Sequence, residues 1–215
     1  MRDSKGYELI YSFPSGAGGS DPLNSLTFVD GVAYGTTYAG GDVSGCNCGA
    51  VFACMTIIYT FKGVASQDGD GPRGDLLLVG KKLYGITGSG GQNGGVCASN
   101  PVGAGCGTVF AIDTSGNEQI VYRFKGGKDG EAPVAGLVYR DGVLYGVTAW
   151  GGVSTTCTSG APSGIRPAVH PLRRLRATST SRSAWWQRRN SLLTGKRGPV
   201  GVLAAQRPAP TLLLR

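Results

Sequence analysis

One phrase occurs three times in the chain and constrains the fold more than any other feature. Tyr34-Gly35-Thr36-Thr37 closes on Gly40-Gly41, Tyr84-Gly85-Ile86-Thr87 on Gly90-Gly91, and Tyr145-Gly146-Val147-Thr148 on Gly151-Gly152. Each copy reads Y-G-x-T-x-x-G-G. The register continues upstream: Pro22, Pro72 and Pro133 stand four residues before Leu26, Leu76 and Leu137, and each of these Leu stands eight before its Tyr. The result is a fixed twenty-residue module at 22–41, 72–91 and 133–152. Three copies in register across several residue types define a tandem-repeat architecture.

Around the module the chain reads as short strands. Tyr7 to Phe13, Met55 to Phe61 and Asn117 to Phe124 each end on Tyr-x-Phe, and short aromatic and β-branched runs favour strands. Polar stretches carrying Asp21, then Asp68 and Asp70, then Asp129 and Glu131 read as loops leading to the module's Pro. Leu26 to Val29, Leu76 to Val79 and Leu137 to Tyr139 form the next strand, followed by a turn at Asp30-Gly31, Gly80-Lys81 or Asp141-Gly142. The Y-G-x-T strand comes third. A fourth strand follows at residues 49–52 and 107–112. Four strands per unit, with successive Tyr 50 and 61 residues apart, match the blades of a β-propeller, whose periods run to about 50 residues. The expected fold is all-β and propeller-like, with two to three blades and no closed ring; a β-sandwich is the alternative, although it does not require a repeating sequence.

These residues resemble a known family. The Tyr-Gly-x-Thr phrase, the paired glycines, Gly-Thr-Val-Phe and the Tyr-x-Phe strand are similar to the GloVer repeat of the choice-of-anchor tandem repeat proteins, over roughly residues 6–152. The resemblance implies a bacterial exported repeat protein that ends in a surface-anchoring or sorting segment, with no catalytic activity attached to it. This chain shows neither a signal peptide nor a recognisable anchor, and no apolar run long enough to span a bilayer.

Composition divides the chain in two. All 13 acidic residues lie in residues 1–160, whereas 11 of the 21 Lys and Arg lie in 161–215. The repeat region, 1–160, is mildly acidic; the remainder is a basic, low-order tail. After Cys157 the awaited Gly-Thr-Val-Phe strand does not arrive. The genetic code offers a reason. Trp185-Trp186-Gln187 can only be encoded TGG TGG CAR, which reads Gly-Gly one nucleotide along, and CGN arginine codons shift to GNN. Permitted codons of Arg189-Asn190-Ser191-Leu192 yield Gly-Thr-Leu-Tyr in that frame. Out-of-frame translation is therefore the expected origin of the tail, with an inert tail, or one that binds nucleic acid or an anionic surface, as the alternatives.

Candidate chemistry is sparse. The single His170 lies in the tail, so the repeats hold no Ser-His-Asp or Cys-His set, and no phosphate-binding glycine loop is present. Cys46, Cys48, Cys97, Cys106 and Cys157 fall in loops after the paired glycines. In an exported fold such cysteines form disulfides, with Cys97–Cys106 the expected pair; Cys46, Cys48 and Cys54 are the zinc alternative. Asp68 and Asp70, two apart on a Gly-rich turn, are the candidate calcium ligands; otherwise no cofactor is expected. Arg73-Gly74-Asp75 spells an adhesion tripeptide at variable positions of the module and is read as coincidence. Tyr34, Tyr84 and Tyr145, with Gly35, Thr37, Gly85, Thr87, Gly146 and Thr148, are assigned to the structural repeat, and Trp150 to ligand contact. The function expected is a non-catalytic extracellular or cell-surface scaffold or binding module for a surface glycan or protein. A glycan-active enzyme or carbohydrate-binding propeller is the alternative, and nucleic acid is not an expected partner.

Overall fold

A computed structural model describes residues 8–41, 45–92, 94, 97–98 and 104–152 with their side chains, and the backbone of Ala168–Arg174. Compact packing divides the chain at Arg176, and every described residue lies in the first unit, Met1–Arg176. The structure is all-β, with no α-helix among the described residues.

Among the described residues, twelve strands form three four-stranded antiparallel sheets. The first is a meander of β1 (Thr27–Val29), β2 (Val32–Thr37), β3 (Ala50–Ala53) and β4 (Thr56–Thr60). The second repeats it with β5 (Gly69–Val79), β6 (Lys82–Gly90), β7 (Thr108–Ile112) and β8 (Glu118–Arg123). The third holds β9 (Glu131–Pro133), β10 (Val138–Arg140), β11 (Val143–Trp150) and β12 (Ala168–Arg174), with β9 and β10 both pairing β11. At the β1–β2 and β10–β11 turns both central residues have positive φ, 49° and 81° at Asp30-Gly31 and 51° and 82° at Asp141-Gly142. That is the primed hairpin geometry, which Asp-Gly adopts readily. Gly80-Lys81 turns with positive φ at the glycine alone.

The module's spacing has a structural cause. Pro72 lies opposite Thr87 and Pro133 opposite Thr148 across the sheet, while Ser20 bridges Ala39, which sets Pro22 in the same register against Thr37. The sixteen residues from Pro to Thr are thus one hairpin with fixed arms. Gly35 and Gly85 pair with Phe52 and Phe110, whose rings lie directly over them; a Cβ at either glycine would sit 2.5 or 2.4 Å from the Phe Cζ.

Consecutive sheets pack through two apolar cores. Tyr34, Val51 and Phe61 of the first sheet meet Leu76, Leu83, Phe110 and Ile112 of the second. Tyr84, Ile86, Val109 and Phe124 of the second meet Leu137 and Leu144 of the third, with Cys97 and Cys106 inside the same core. At each junction a glycine carries the next sheet's proline: Gly49 lies against Pro72, and Gly107 against Pro133. Backbone hydrogen bonds repeat the match, from Gly71 N–H to the Cys48 carbonyl (3.0 Å) and from Ala132 N–H to the Cys106 carbonyl (2.9 Å).

Three readings from the sequence change. The polar stretch before Pro72 is a loop only as far as Asp68, because β5 begins at Gly69 and its first half pairs with the glycine-rich end of β6, past a register shift between Arg73 and Leu77. The third copy does likewise through β9. Conversely, Leu9 to Pro14 form no strand, although they carry the first Tyr-x-Phe. The equivalent β4 and β8 pair with β3 and β7 of their own sheets; residues 9–14 have no such partner among the described residues. Finally, Ala168–Arg174, inside the stretch assigned to the tail, pairs with β11 as β12, where the other sheets place Gly-x-Val-Phe. The rest of the 161–215 assignment lies outside the described residues.

Candidate functional site

The outer strands of the first two sheets flank a polar cleft of about 570 Å³, lined by Tyr59 of β4, Lys62, Gln67, Asp68, Glu118 of β8 and Arg123. Its floor comes from a repeat-encoded bond. Tyr59 donates its hydroxyl proton to Asp68 (2.8 Å), and the same carboxylate accepts from the backbone N–H of Lys62 (2.9 Å) and Gly69 (2.7 Å). Tyr122 and Lys125 N–H hold Asp129 in the same way one unit later. Tyr-x-Phe-Lys followed by Asp is thus a clip that closes the loop between sheets.

Glu118 has no counterpart in the other copies. Its Oε1 is buried without a hydrogen-bond partner. Burial and then the negative charge of Asp68 push its carboxyl up to about 7, against the opposing hydrogen bond of Tyr59 and the charges of Arg123 and Lys62. Burial, followed by the hydrogen bond and charge of Asp68, raises the Tyr59 phenol as well. The cleft therefore combines an acid that titrates near neutrality, a protonated phenol, amide side chains and a cationic rim. Such a set can hydrogen-bond a polyhydroxylated ligand; among the described residues it does not make a metal cage, because no group of three His, Cys, Asp or Glu converges anywhere.

The residues singled out from the sequence are dispersed. Both carboxylate oxygens of Asp68 already accept hydrogen bonds. Asp70 lies on β5 and lines a separate hollow beside Cys46 and Cys48, where burial raises its carboxyl against the lowering effect of Ser89. Trp150 ends β11, half-buried and opposite Glu131, at the position of Ala39 and Ser89 in the other sheets. Tyr34 and Tyr84 are core, Tyr145 is half-buried, and Thr37, Thr87 and Thr148 are completely buried. Thr87 shares its hydroxyl with Thr108 at 2.8 Å. Gly146 faces the backbone of His170. Cys97 and Cys106 stand at bonding distance with Cα atoms 4.9 Å apart, and Cys46 faces Cys48 with Cα atoms 5.1 Å apart; Cys54 is exposed beyond the other end of β3.

Arg73-Gly74-Asp75 is built into β5. Arg73 lies over the Tyr38 ring, 5.1 Å from its centroid, and Asp75 accepts from Ser25 N–H (2.7 Å). The tripeptide joins two sheets. Sequence reasoning passed over Glu118, and the signal was an exception within the repeat: four residues before Tyr122 stands an acid, where Met55 and Tyr7 stand in the other copies.

No curated protein sequence and no solved structure matches the chain. A sequence model of the Gloeobacter/Verrucomicrobia repeat does, and it covers the module copies, the Tyr-x-Phe segments and the residues that line the cleft. With residues 1–159 matched, the chain belongs to the Gloeobacter/Verrucomicrobia repeat family.

Proposed function

We propose that this chain is a non-catalytic repeat module that works outside the cell as a scaffold and as a binding surface for a polyhydroxylated ligand such as a surface glycan. One observation supports the scaffold role above all: the residues that recur in every copy serve packing. Tyr34 and Tyr84 fill the cores, Gly35 and Gly85 lie beneath Phe rings, and Pro72 and Pro133 rest on the preceding sheet's glycine. Meanders of four strands stacked through alternate apolar cores are the construction of propeller blades, and we assign the sheets that role. We assign Cys97 and Cys106 as a structural disulfide, which suits an oxidising compartment. No helix among the described residues is long and apolar enough to cross a membrane.

The binding role rests on the cleft at Glu118. Fluorescently labelled chain on a glycan array should bind a restricted set of sugars, and Glu118→Gln should weaken that binding several-fold without product release from the bound sugar. The alternative, a glycan-active enzyme, draws on the same residue, since a carboxyl raised toward neutrality beside a second carboxylate is the equipment of a general acid. Turnover of a chromogenic glycoside that Glu118→Gln abolishes would replace the scaffold reading with that one.

A further inference from the structure

We propose that Cys46 and Cys48 form a thiol–disulfide exchange site, where an incoming thiolate opens the disulfide between them and is joined to the chain through Cys46. This goes beyond the scaffold and glycan-binding roles. The two cysteines stand two apart in sequence with Cα atoms 5.1 Å apart, inside the span that a disulfide bridges. Asn47 between them takes φ of 54°, a left-handed turn that asparagine tolerates. Its Oδ1 accepts from Gly40 N–H at 2.7 Å, which pins the turn. Gly63 lies against both sulfurs: a Cβ there would stand 2.7 Å from Cys48 Sγ and 2.8 Å from Cys46 Sγ. The pair thus rests on a floor that carries no side chain.

A purely structural role does not account for the pair. A disulfide stabilises by restricting the unfolded chain, and the restriction shrinks with the loop it closes. Cys46 and Cys48 close the shortest of loops, one that Asn47 already ties to Gly40. Cys97 and Cys106 are the contrast within the same chain, nine residues apart and 1% and 0% exposed inside a core. Cys48 and Cys106 hold the same place in their repeats, four residues before Phe52 and Phe110. The difference lies in the other cysteine. Cys48 is 3% exposed, whereas Cys46 is only half-buried. A reachable sulfur beside a buried one directs an attacking thiolate to a single atom.

The surroundings suit that reaction. Both cysteines line a hollow of about 410 Å³ together with Lys62, Gly63 and Asp70. Lys62 supplies a positive charge, which favours thiolates. Asp70 corresponds to Glu131 one repeat later, each two residues before the module's proline, and Glu131 Oε2 lies 3.5 Å from Cys106 Sγ. The repeat therefore sets a carboxyl on the side of the buried cysteine, and burial raises that of Asp70. Attack on Cys46 Sγ forms the new S–S bond, breaks the bond to Cys48 and releases Cys48 as a thiolate. The proton given up by the incoming thiol ends on Cys48, with Asp70 on hand to pass it. One thiol and one disulfide become one mixed disulfide and one thiol, with no outside oxidant. A second thiol on the same bearer then displaces Cys46, which leaves the bearer oxidised and both cysteines as thiols. The exchange is stoichiometric, one disulfide per chain. Its bearer is a small thiol or a cysteine on a polypeptide, and the chemistry is the same for both.

The test uses the full chain with Cys54→Ser and Cys157→Ser, so that Cys46, Cys48, Cys97 and Cys106 are the cysteines that remain. The air-oxidised chain is treated with reduced glutathione under native conditions, quenched in acid and mapped by peptide mass spectrometry. Cys46–Cys48 should open at least about tenfold faster than Cys97–Cys106, with glutathione on Cys46 and a free thiol on Cys48. A reduced two-cysteine peptide at equal thiol concentration separates the bearers. Faster opening by glutathione assigns a small thiol, and faster opening by the peptide assigns a polypeptide cysteine. Opening no faster than that of Cys97–Cys106 overturns the proposal. So does glutathione attached to Cys48 in place of Cys46, or free thiols at both positions before glutathione is added.

Discussion

Gly85 shows how one residue of the repeat is fixed by another far away in sequence. Its φ is ordinary, so the backbone does not demand glycine; the Phe110 ring does, standing 2.4 Å from where a Cβ would be. Gly85→Ala should destabilise by about 1–3 kcal/mol through overpacking, read as a lower urea midpoint, and Phe110→Leu in the same chain should recover part of the loss. Glu118 makes a different prediction. Its carboxyl is raised in the folded state from 4.5 to about 7, so the native chain holds this proton more tightly than the unfolded one. Stability contributed this way is present below about pH 4.5 and is lost as pH rises through about 7. Glu118→Gln should flatten that part of the melting-temperature profile, and at pH 8 the variant should melt higher than the parent. The structural glycines could be read from the sequence because they recur. Glu118 could not be read that way, since its environment comes from Tyr59 of the neighbouring sheet and Asp68 of the loop between the sheets, and no local pattern records that meeting.

At the level of elements, the hairpins were legible and the extent of the strands was not. The tight turns at Asp30-Gly31, Gly80-Lys81 and Asp141-Gly142 and the Tyr-Gly-x-Thr phrase after each place β2, β6 and β11 directly. The first half of β5 escaped because Gly69 to Asp75 is rich in glycine and aspartate, residues that ordinarily mark turns. It is nonetheless a strand: Gly88 to Gly90 offer backbone with almost no side chain to oppose it, and a bulge absorbs the mismatch. The Cys97–Cys106 loop is the other informative element. Both cysteines lie in the core between the second and third sheets, so the disulfide we propose between them anchors the connection from β6 to β7 at a buried point. Replacing both by Ser should cost about 2–3 kcal/mol from the added freedom of the unfolded chain, with more from the buried hydroxyls. A reductant should lower the melting temperature of the parent and leave that of the double variant unchanged.

Across the whole molecule, stability resides in the junctions between sheets as much as within them. Gly107 carries φ of 92°, and a Cβ there would meet Pro133 Cδ and the Thr87 carbonyl, each at 2.5 Å. Gly107→Ala should therefore lower the urea midpoint further than Gly85→Ala, adding backbone strain of about 1–3 kcal/mol to overpacking. Amide exchange should rise first at Ala132, whose N–H bridges the same junction to Cys106. The repeated proline on the repeated glycine also bears on how such chains come to exist. Both partners of the contact are encoded within one repeat length, the proline serving the sheet behind and the glycine the sheet ahead. A duplication of that length of gene therefore delivers a ready-made joint at each of its ends, so arrays of different lengths can arise by unequal recombination without any new surface having to be selected.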